Sequence, residues 1–455
     1  MKLLKQLMSN PSGRIDERIR DELGRAALSR YSVSRKQFPA YRFVDLYHAI
    51  ESIAGNQKNY RVLESENFDE LSNLIHTHHS NPEMRRLNKS SRTAWMVGSN
   101  EEVFLPVERY WFYDVPERGG VNTILIRLKY HNYEELSTVE IATKNPDSAA
   151  VVIGQIANKS IAESIYRGKV FALTYEAGTK DEYGDIEKPE TLRINFRTAT
   201  EVPREDFVVD KKVFETLKRN VIDLHFHRRR LRKLGVPVRR GVLLYGPPGT
   251  GKTYACRYIC GALPNTTRIF VAGTALGKVS QIFDLARTYQ PAIVFLEDVD
   301  LVFAARDINL YSSALGDLLD QMDGLRPFED VGVVLTTNSI DRMEAAIKDR
   351  PGRISQCIYF GAPERTLRAK YIAQYAKSYD YSEADEDELL TMTKGTTPAF
   401  IKEWIHRTVQ FASERMSDED DAVMLQTSDF RSAYEEMKRF TDEASGRIIG
   451  FIGGG

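Results

Sequence analysis

The chain has 455 residues, 42% of them hydrophobic and 28% charged, with 63 Lys and Arg against 64 Asp and Glu. Such a length exceeds one compact domain and predicts about two to four, while near-zero net charge gives no global pull toward nucleic acid or an acidic membrane. The three cysteines stand at no metal spacing with His, no run of about 18 apolar residues occurs, and the N-terminus has no apolar signal core, so a cytoplasmic protein without a membrane span is expected.

Residues 1–100 read as a mostly helical, polar region, with "YRFVDLYHAIESIA" carrying apolar residues at helical spacing. His76, His78 and His79 lack a carboxylate or Cys at ligand spacing and read as surface polarity. From 101 to 204 the texture changes to short β-type runs, "VFLPVERYWFYDV", "NTILIRLKY", "VEIATK", "KVFALTYEA" and "TLRINFRTAT". The acidic "GTKDEYGDIEKPE" between the last two looks like a hairpin tip. Together 1–204 form an α+β module in which no chemistry is legible. Seven Lys or Arg follow between positions 228 and 240. They suit either a solvated helix end, where basic residues complement the helix dipole, or a contact with another subunit or nucleic acid.

Beyond 241 the pattern becomes alternating. The runs "GVLLY", "TRIFVAG", "AIVFLED", "VGVVLTTN" and "QCIYFGAP" are strand candidates separated by helical stretches. Alternation of this kind predicts an α/β fold with a parallel sheet, whose ligands sit at the carboxyl ends of the strands. The stretch "GPPGTGKT" directly after the first strand matches the P-loop pattern: Gly246, Pro247, Pro248, Gly249, Thr250, Gly251, Lys252 and Thr253, with Tyr254 next in the following helix. Its glycines allow backbone N–H groups to turn toward phosphate oxygens. Lys252 supplies a cation for the outer phosphates, and the Thr253 hydroxyl is a Mg²⁺ ligand. The cofactors expected are therefore ATP and Mg²⁺.

Two later strand ends carry the other groups that ATP hydrolysis needs. Glu297, Asp298 and Asp300 follow "AIVFL", and hydrolysis needs one carboxylate for the metal's water shell and one to polarise water. Asn338 ends "VVLTTN" and can hold that water, while Arg350 and Arg353 in "DRPGR" suit the charge of a transferring phosphoryl group.

In this order and spacing, the P-loop, acidic strand end, Thr-Thr-Asn end and Arg-Pro-Gly-Arg resemble the AAA family of ATPases over about residues 205–445. "MDGL" (322–325) and "TKGTTPAFIKEWI" (393–405) resemble further family landmarks. The resemblance implies a large P-loop subdomain over 205–362 and a helical lid over 363–445 that closes on the adenine; the chain then ends in a hydrophobic, Gly-rich tail over 446–455, "GRIIGFIGGG". It also implies a homo-oligomeric ring, usually a hexamer. Asn338 becomes the first sensor, and Arg350 and Arg353 become fingers reaching a neighbour's ATP. Family members typically use hydrolysis to pull apart or remodel other macromolecules, with the N-terminal module choosing the client, here expected to be a protein. By position Glu297 then serves the metal and Asp298 the water.

Two departures bear on mechanism. The family's acidic pair usually reads Asp-Glu, whereas this chain has Glu297–Asp298, an inverted order that resembles the mitochondrial branch translocating a folded Rieske iron–sulfur protein. The stretch "VAGTALGKVSQIF" holds no aromatic before Phe283, so a chain-gripping pore loop of the usual kind is missing, although Tyr311 in "ARDINLYSS" could face a pore. An ATP-driven remodeller is the leading expectation. A nucleotide-gated scaffold with little turnover, or a nucleic-acid motor or loader, stays open as an alternative.

Overall fold

The computed structural model describes residues 13–77, 85–117, 120–180, 186–188, 190–199, 201–238, 240–300, 317–318, 320–322, 329–340, 354–415 and 423–445. The chain divides into two compact units, Met1–Arg197 and Thr198–Gly455.

The first unit is an α+β module. Its helices are α1 (Ile15–Leu23), α2 (Phe43–Gly55), α3 (Leu71–His76) and α4 (Pro146–Ala162). Its strands are β1 (Ser32–Pro39), β2 (Lys58–Leu63), β3 (Arg92–Met96), β4 (Glu102–Pro106), β5 (Glu108–Glu117), β6 (Gly120–His131), β7 (Leu136–Thr143), β8 (Val170–Glu176), β9 (Thr179–Lys180), β10 (Ile186–Lys188) and β11 (Thr191–Phe196). An antiparallel sheet runs β1-β7-β6-β5-β2, and β3–β4, β9–β10 and β8–β11 form hairpin pairs.

The alternation of side chains along a strand explains why β5 is apolar at consecutive positions. Trp111 and Tyr113 pack with α2 and α4 residues such as Phe43, Leu46, Ile50, Val152 and Ile156. Tyr110 and Phe112, pointing the other way, pack with Ile15, Ile19, Leu71, Leu74 and Ile75 from α1 and α3. Both faces of the sheet are thus buried. Helix α4 starts where Asn145 accepts a hydrogen bond from the Asp147 amide and Pro146 opens the first turn.

Strands share the stretch 1–100 with its helices. Besides α1, α2 and α3, this stretch supplies β1, β2 and β3, and both β1 and β2 pair with strands that lie after residue 100. β1 and β2 are the outer strands of their sheet, half-exposed and rich in charge, so their apolar periodicity is weak.

In the second unit, helix α5 (Lys211–Leu217) passes through a π-helical segment, Lys218–Asp223, into α6 (Leu224–Lys233). Strand β12 (Arg240–Tyr245) leads to α7 (Lys252–Ala262), β13 (Thr267–Val271) to α8 (Val279–Thr288), and β14 (Ala292–Leu296), β15 (Val331–Thr337) and β16 (Gln356–Tyr359) follow. All five strands are parallel, in the order β13-β14-β15-β12-β16. β13 and β14 are buried at every position, which is why they read as continuous apolar runs. The result is a P-loop α/β sheet flanked by helices.

Helices α9 (Arg365–Tyr375), α10 (Glu386–Met392), α11 (Pro398–Glu414) and α12 (Thr427–Ser445) share a separate apolar core around Trp404, Phe400, Ile401 and Phe430. Among the described residues no helix is long and apolar enough to cross a membrane.

Candidate nucleotide site

The strand order brings distant parts of the chain together. β12 lies between β15 and β16, with β14 beyond β15, so parallel strands deliver the P-loop, Asn338 and the Glu297–Asp298 pair to one edge of the sheet. The order reverses direction at β12, where α/β sheets hold their ligands.

The loop after β12 needs its glycines. Gly246, Gly249 and Gly251 have φ of 143°, 78° and 101°, a region that L side chains avoid. A Cβ on Gly246 would stand 2.1 Å from the Phe360 carbonyl oxygen, so no other residue fits. Helix α7 then begins at Lys252, presenting its N-terminus and partial positive charge to the loop. Lys252 is only 5% exposed, and its Nζ donates to the Gly246 and Pro247 carbonyls at 2.7 and 2.9 Å. Burial lowers its pKa, while the charges of Asp298 and Asp300 oppose that shift and help keep it protonated. Thr250 is buried and donates to the Pro247 carbonyl at 2.8 Å, bracing the loop. Thr253 and Tyr254, in the first turn of α7, are exposed, and Tyr254 lies 6.2 Å from the Phe207 ring.

At the neighbouring strand ends, Asn338 donates from Nδ2 to Asp298 Oδ1 at 3.3 Å and from its backbone N–H to Asp300 Oδ1 at 3.0 Å. The Asp298 N–H donates to Thr336 Oγ1 at 2.9 Å. Asp298 itself has a φ of 50°. Among the described residues, no three or more His, Cys, Asp or Glu form a ready metal cage. The Thr253 hydroxyl and the Glu297 carboxylate are nevertheless oxygen donors of the kind Mg²⁺ takes, because it keeps waters and binds phosphates with one or two protein ligands. The donors fit that ion.

Several participants are not legible in the motif alone. The Ala399 N–H donates to the Gly249 carbonyl at 3.1 Å, docking the start of α11 on the P-loop. A Cβ on Gly249 would stand 2.9 Å from that of Ala399 and 3.0 Å from Thr397 Oγ1. Thr397 is the N-cap of α11, accepting from the Phe400 N–H. The segment before α5 is tied to α9 by Tyr371, whose hydroxyl donates to the Val208 carbonyl at 2.6 Å, and by Gln374, which donates to the Asp206 carbonyl at 2.7 Å. Phe207 stacks on Tyr258 of α7 at 4.4 Å. These contacts join residues far apart in the chain, and no short pattern announces them.

The basic run divides by function. Arg228 and Arg232 bind Asp330 at 2.9 and 3.5 Å, fixing α6 near the amino end of β15, while Arg229, Arg230 and Lys233 are exposed. His76 ends α3. Arg350, Arg353, Tyr311, His78, His79 and the tail 446–455 lie outside the described residues.

Residues 242–362 match the model of the ATPase family associated with various cellular activities (AAA). The chain is similar to the proteasome-activating nucleotidase of Methanopyrus kandleri, 30% identical over 232 residues, covering 48% of this chain and 52% of that one. It is similar to the nucleotidase of the same name from Methanospirillum hungatei, 27% identical over 319 residues, 66% of this chain and 70% of that one. The ATP-dependent zinc metalloprotease FtsH 3 of Sphaerobacter thermophilus is 30% identical over 204 residues, 42% of this chain and 41% of its own. The chain thus spans about half the length of the first of these relatives. Motif, strand order and strand-end chemistry agree with that match: residues 242–362 form a domain similar to the AAA ATPases.

Proposed function

We propose that the protein binds ATP with Mg²⁺ at the P-loop, hydrolyses it, and uses the turnover to remodel protein clients. The observation that carries this reading is the meeting of Lys252, Asp298 and Asn338 at the carboxyl ends of adjacent parallel strands. Lys252 and the loop amides hold the phosphates. Asp298 accepts the proton of the attacking water, and Asn338 orients it. Thr253 and Glu297 would hold Mg²⁺, which supplies charge neutralisation at the phosphoryl oxygens. Arg350 and Arg353 reach across to a neighbouring subunit's site, which makes a homo-oligomeric ring, a hexamer by analogy with the family, the working form. The large subdomain covers 205–362, the lid covers 363–445, and the N-terminal unit selects the client.

The name of the nucleotidases, proteasome-activating, supports a protein client. The Glu297–Asp298 order and the lack of an aromatic before Phe283 support ring opening and closing, as in the Rieske-protein translocase branch, over gripping an unfolded chain. With Arg228 and Arg232 committed to Asp330, the basic run gives less support to a nucleic-acid motor.

Steady-state phosphate release by the purified chain tests the reading. The Asp298→Asn variant should retain ATP affinity and lose turnover by about 100-fold, because proton acceptance acts in the transition state. If the wild-type chain binds ATP and releases no phosphate, the nucleotide-gated scaffold replaces this reading.

A further inference from the structure

At the end of β14 the sheet pairing stops within one residue. The Glu297 N–H still donates to the Val271 carbonyl on β13 at 3.0 Å. One residue on, the backbone turns into the left-handed region, with Asp298 at a φ of 50°. There its N–H faces β15 and donates to Thr336 Oγ1, on a fully buried side chain. The chain then enters a helical turn that includes the buried Asp300, whose Oδ1 accepts the N–H of Asn338, just beyond β15. Asn338 closes the circuit through its Nδ2 bond to Asp298. Three hydrogen bonds therefore lace the end of β14 to the end of β15, and two of them come from residues that need not touch a nucleotide.

We propose that Thr336 and Asp300 are positioning residues that set Asp298 and Asn338, and that the left-handed backbone at 298 selects Asp over Glu at that position. The inference rests on the ATPase reading above. Short polar side chains such as Asp and Asn populate left-handed backbone far more readily than longer ones, because their oxygen can bond locally. Here Asp298 Oδ1 instead accepts from the side-chain amide of Asn338, 40 positions on. The conformation turns the carboxylate toward the β15 end, where it meets the amide of Asn338. A Glu in the same backbone would carry its carboxylate one methylene past that amide. The Asp at the second place of the acidic pair then follows from the local backbone, and the Thr336 hydroxyl holds that backbone in place.

The test uses the full-length chain with three readouts: ATP affinity, steady-state phosphate release, and amide hydrogen exchange of the nucleotide-free protein. Thr336→Val keeps the buried volume and removes the acceptor. It should speed exchange at the Asp298 amide and lower turnover about ten-fold or more while ATP affinity stays within about three-fold. Thr336→Ser restores a hydroxyl and should recover both. Asp300→Ala should speed exchange at the Asn338 amide with the same split between turnover and affinity. Asp298→Glu should be slower than wild type. Wild-type turnover in Thr336→Val, failure of Thr336→Ser to rescue, or a faster Asp298→Glu each overturns the proposal while leaving the ATPase reading intact. Loss of ATP affinity in both Thr336→Val and Asp300→Ala also overturns it, since the two would then be holding the fold. A wild-type chain without turnover removes the ATPase reading, and this inference falls with it.

Discussion

His225 shows how one side chain ties stability to pH. It lies half-buried on α6, with Nε2 2.8 Å from Thr266 Oγ1, and it lines the same small cavity as Arg228 and Asp330. Burial, with the charge of Arg228 adding, lowers its pKa to about 4 from an ordinary 6.5. The unfolded chain therefore binds a proton between those values that the folded chain refuses. Its contribution to stability is complete above pH 6.5 and is lost as pH falls toward 4. His225→Gln should flatten the decline in denaturation midpoint of the second unit between pH 6.5 and 4.5. An unchanged slope would show that other groups govern the decline. The sequence displayed this histidine only as part of a basic run, because the cavity it lines is built from separate segments, from Val242 on β12 to Val333 on β15.

At the scale of elements, a buried ion network fixes how the 64–71 segment crosses the first sheet. Arg127 on β6 binds Glu108 at 2.7 Å and Glu140 at 2.9 Å, and also donates to the carbonyls of Asn67 and Asp69. Its partners draw the guanidinium pKa upward against the cost of burial. The Asn67 N–H returns a bond to Glu108 at 2.9 Å. Replacing Arg127 with Met leaves two carboxylates without their cation in a dry environment, and breaking such a pair costs roughly 3–5 kcal/mol. Urea denaturation of the full-length chain should show the first unit's transition destabilised by that order in Arg127→Met. A loss under about 1 kcal/mol would mean that water reaches the cluster and compensates it. The strands β5, β6 and β7 were legible from their apolar and β-branched runs. β1 and β2 were not, since outer strands hide little apolar surface and tertiary pairing overrides weak local preference.

For the whole molecule, the proposed ring makes a prediction that no single chain can. Lys252→Ala removes the phosphate-binding cation of a chain's own site, and Arg350→Ala removes the group offered to its neighbour. Each variant alone should be inactive, with Arg350→Ala still binding ATP. Mixed and allowed to exchange subunits, they should regain a fraction of wild-type turnover, because some interfaces then pair an intact P-loop with an intact arginine. Mixed oligomers seen by light scattering with turnover still at background would remove the shared-site arrangement.

What the sequence by itself determined is local. A P-loop declares itself because glycine spacing and backbone conformation are properties of eight consecutive residues, and Glu297, Asp298 and Asn338 declare themselves because each ends an apolar run. The tertiary structure decided which of these ends meet. Placing β15 between β12 and β14 sets Asn338 against Asp298 and Asp300, and it gives the Asp298 amide to Thr336. It also laid the start of α11 on Gly249, about 150 positions away in sequence. Strand adjacency is fixed by pairing between segments remote along the chain, so local pattern supplies the chemical groups and only the folded sheet supplies their geometry.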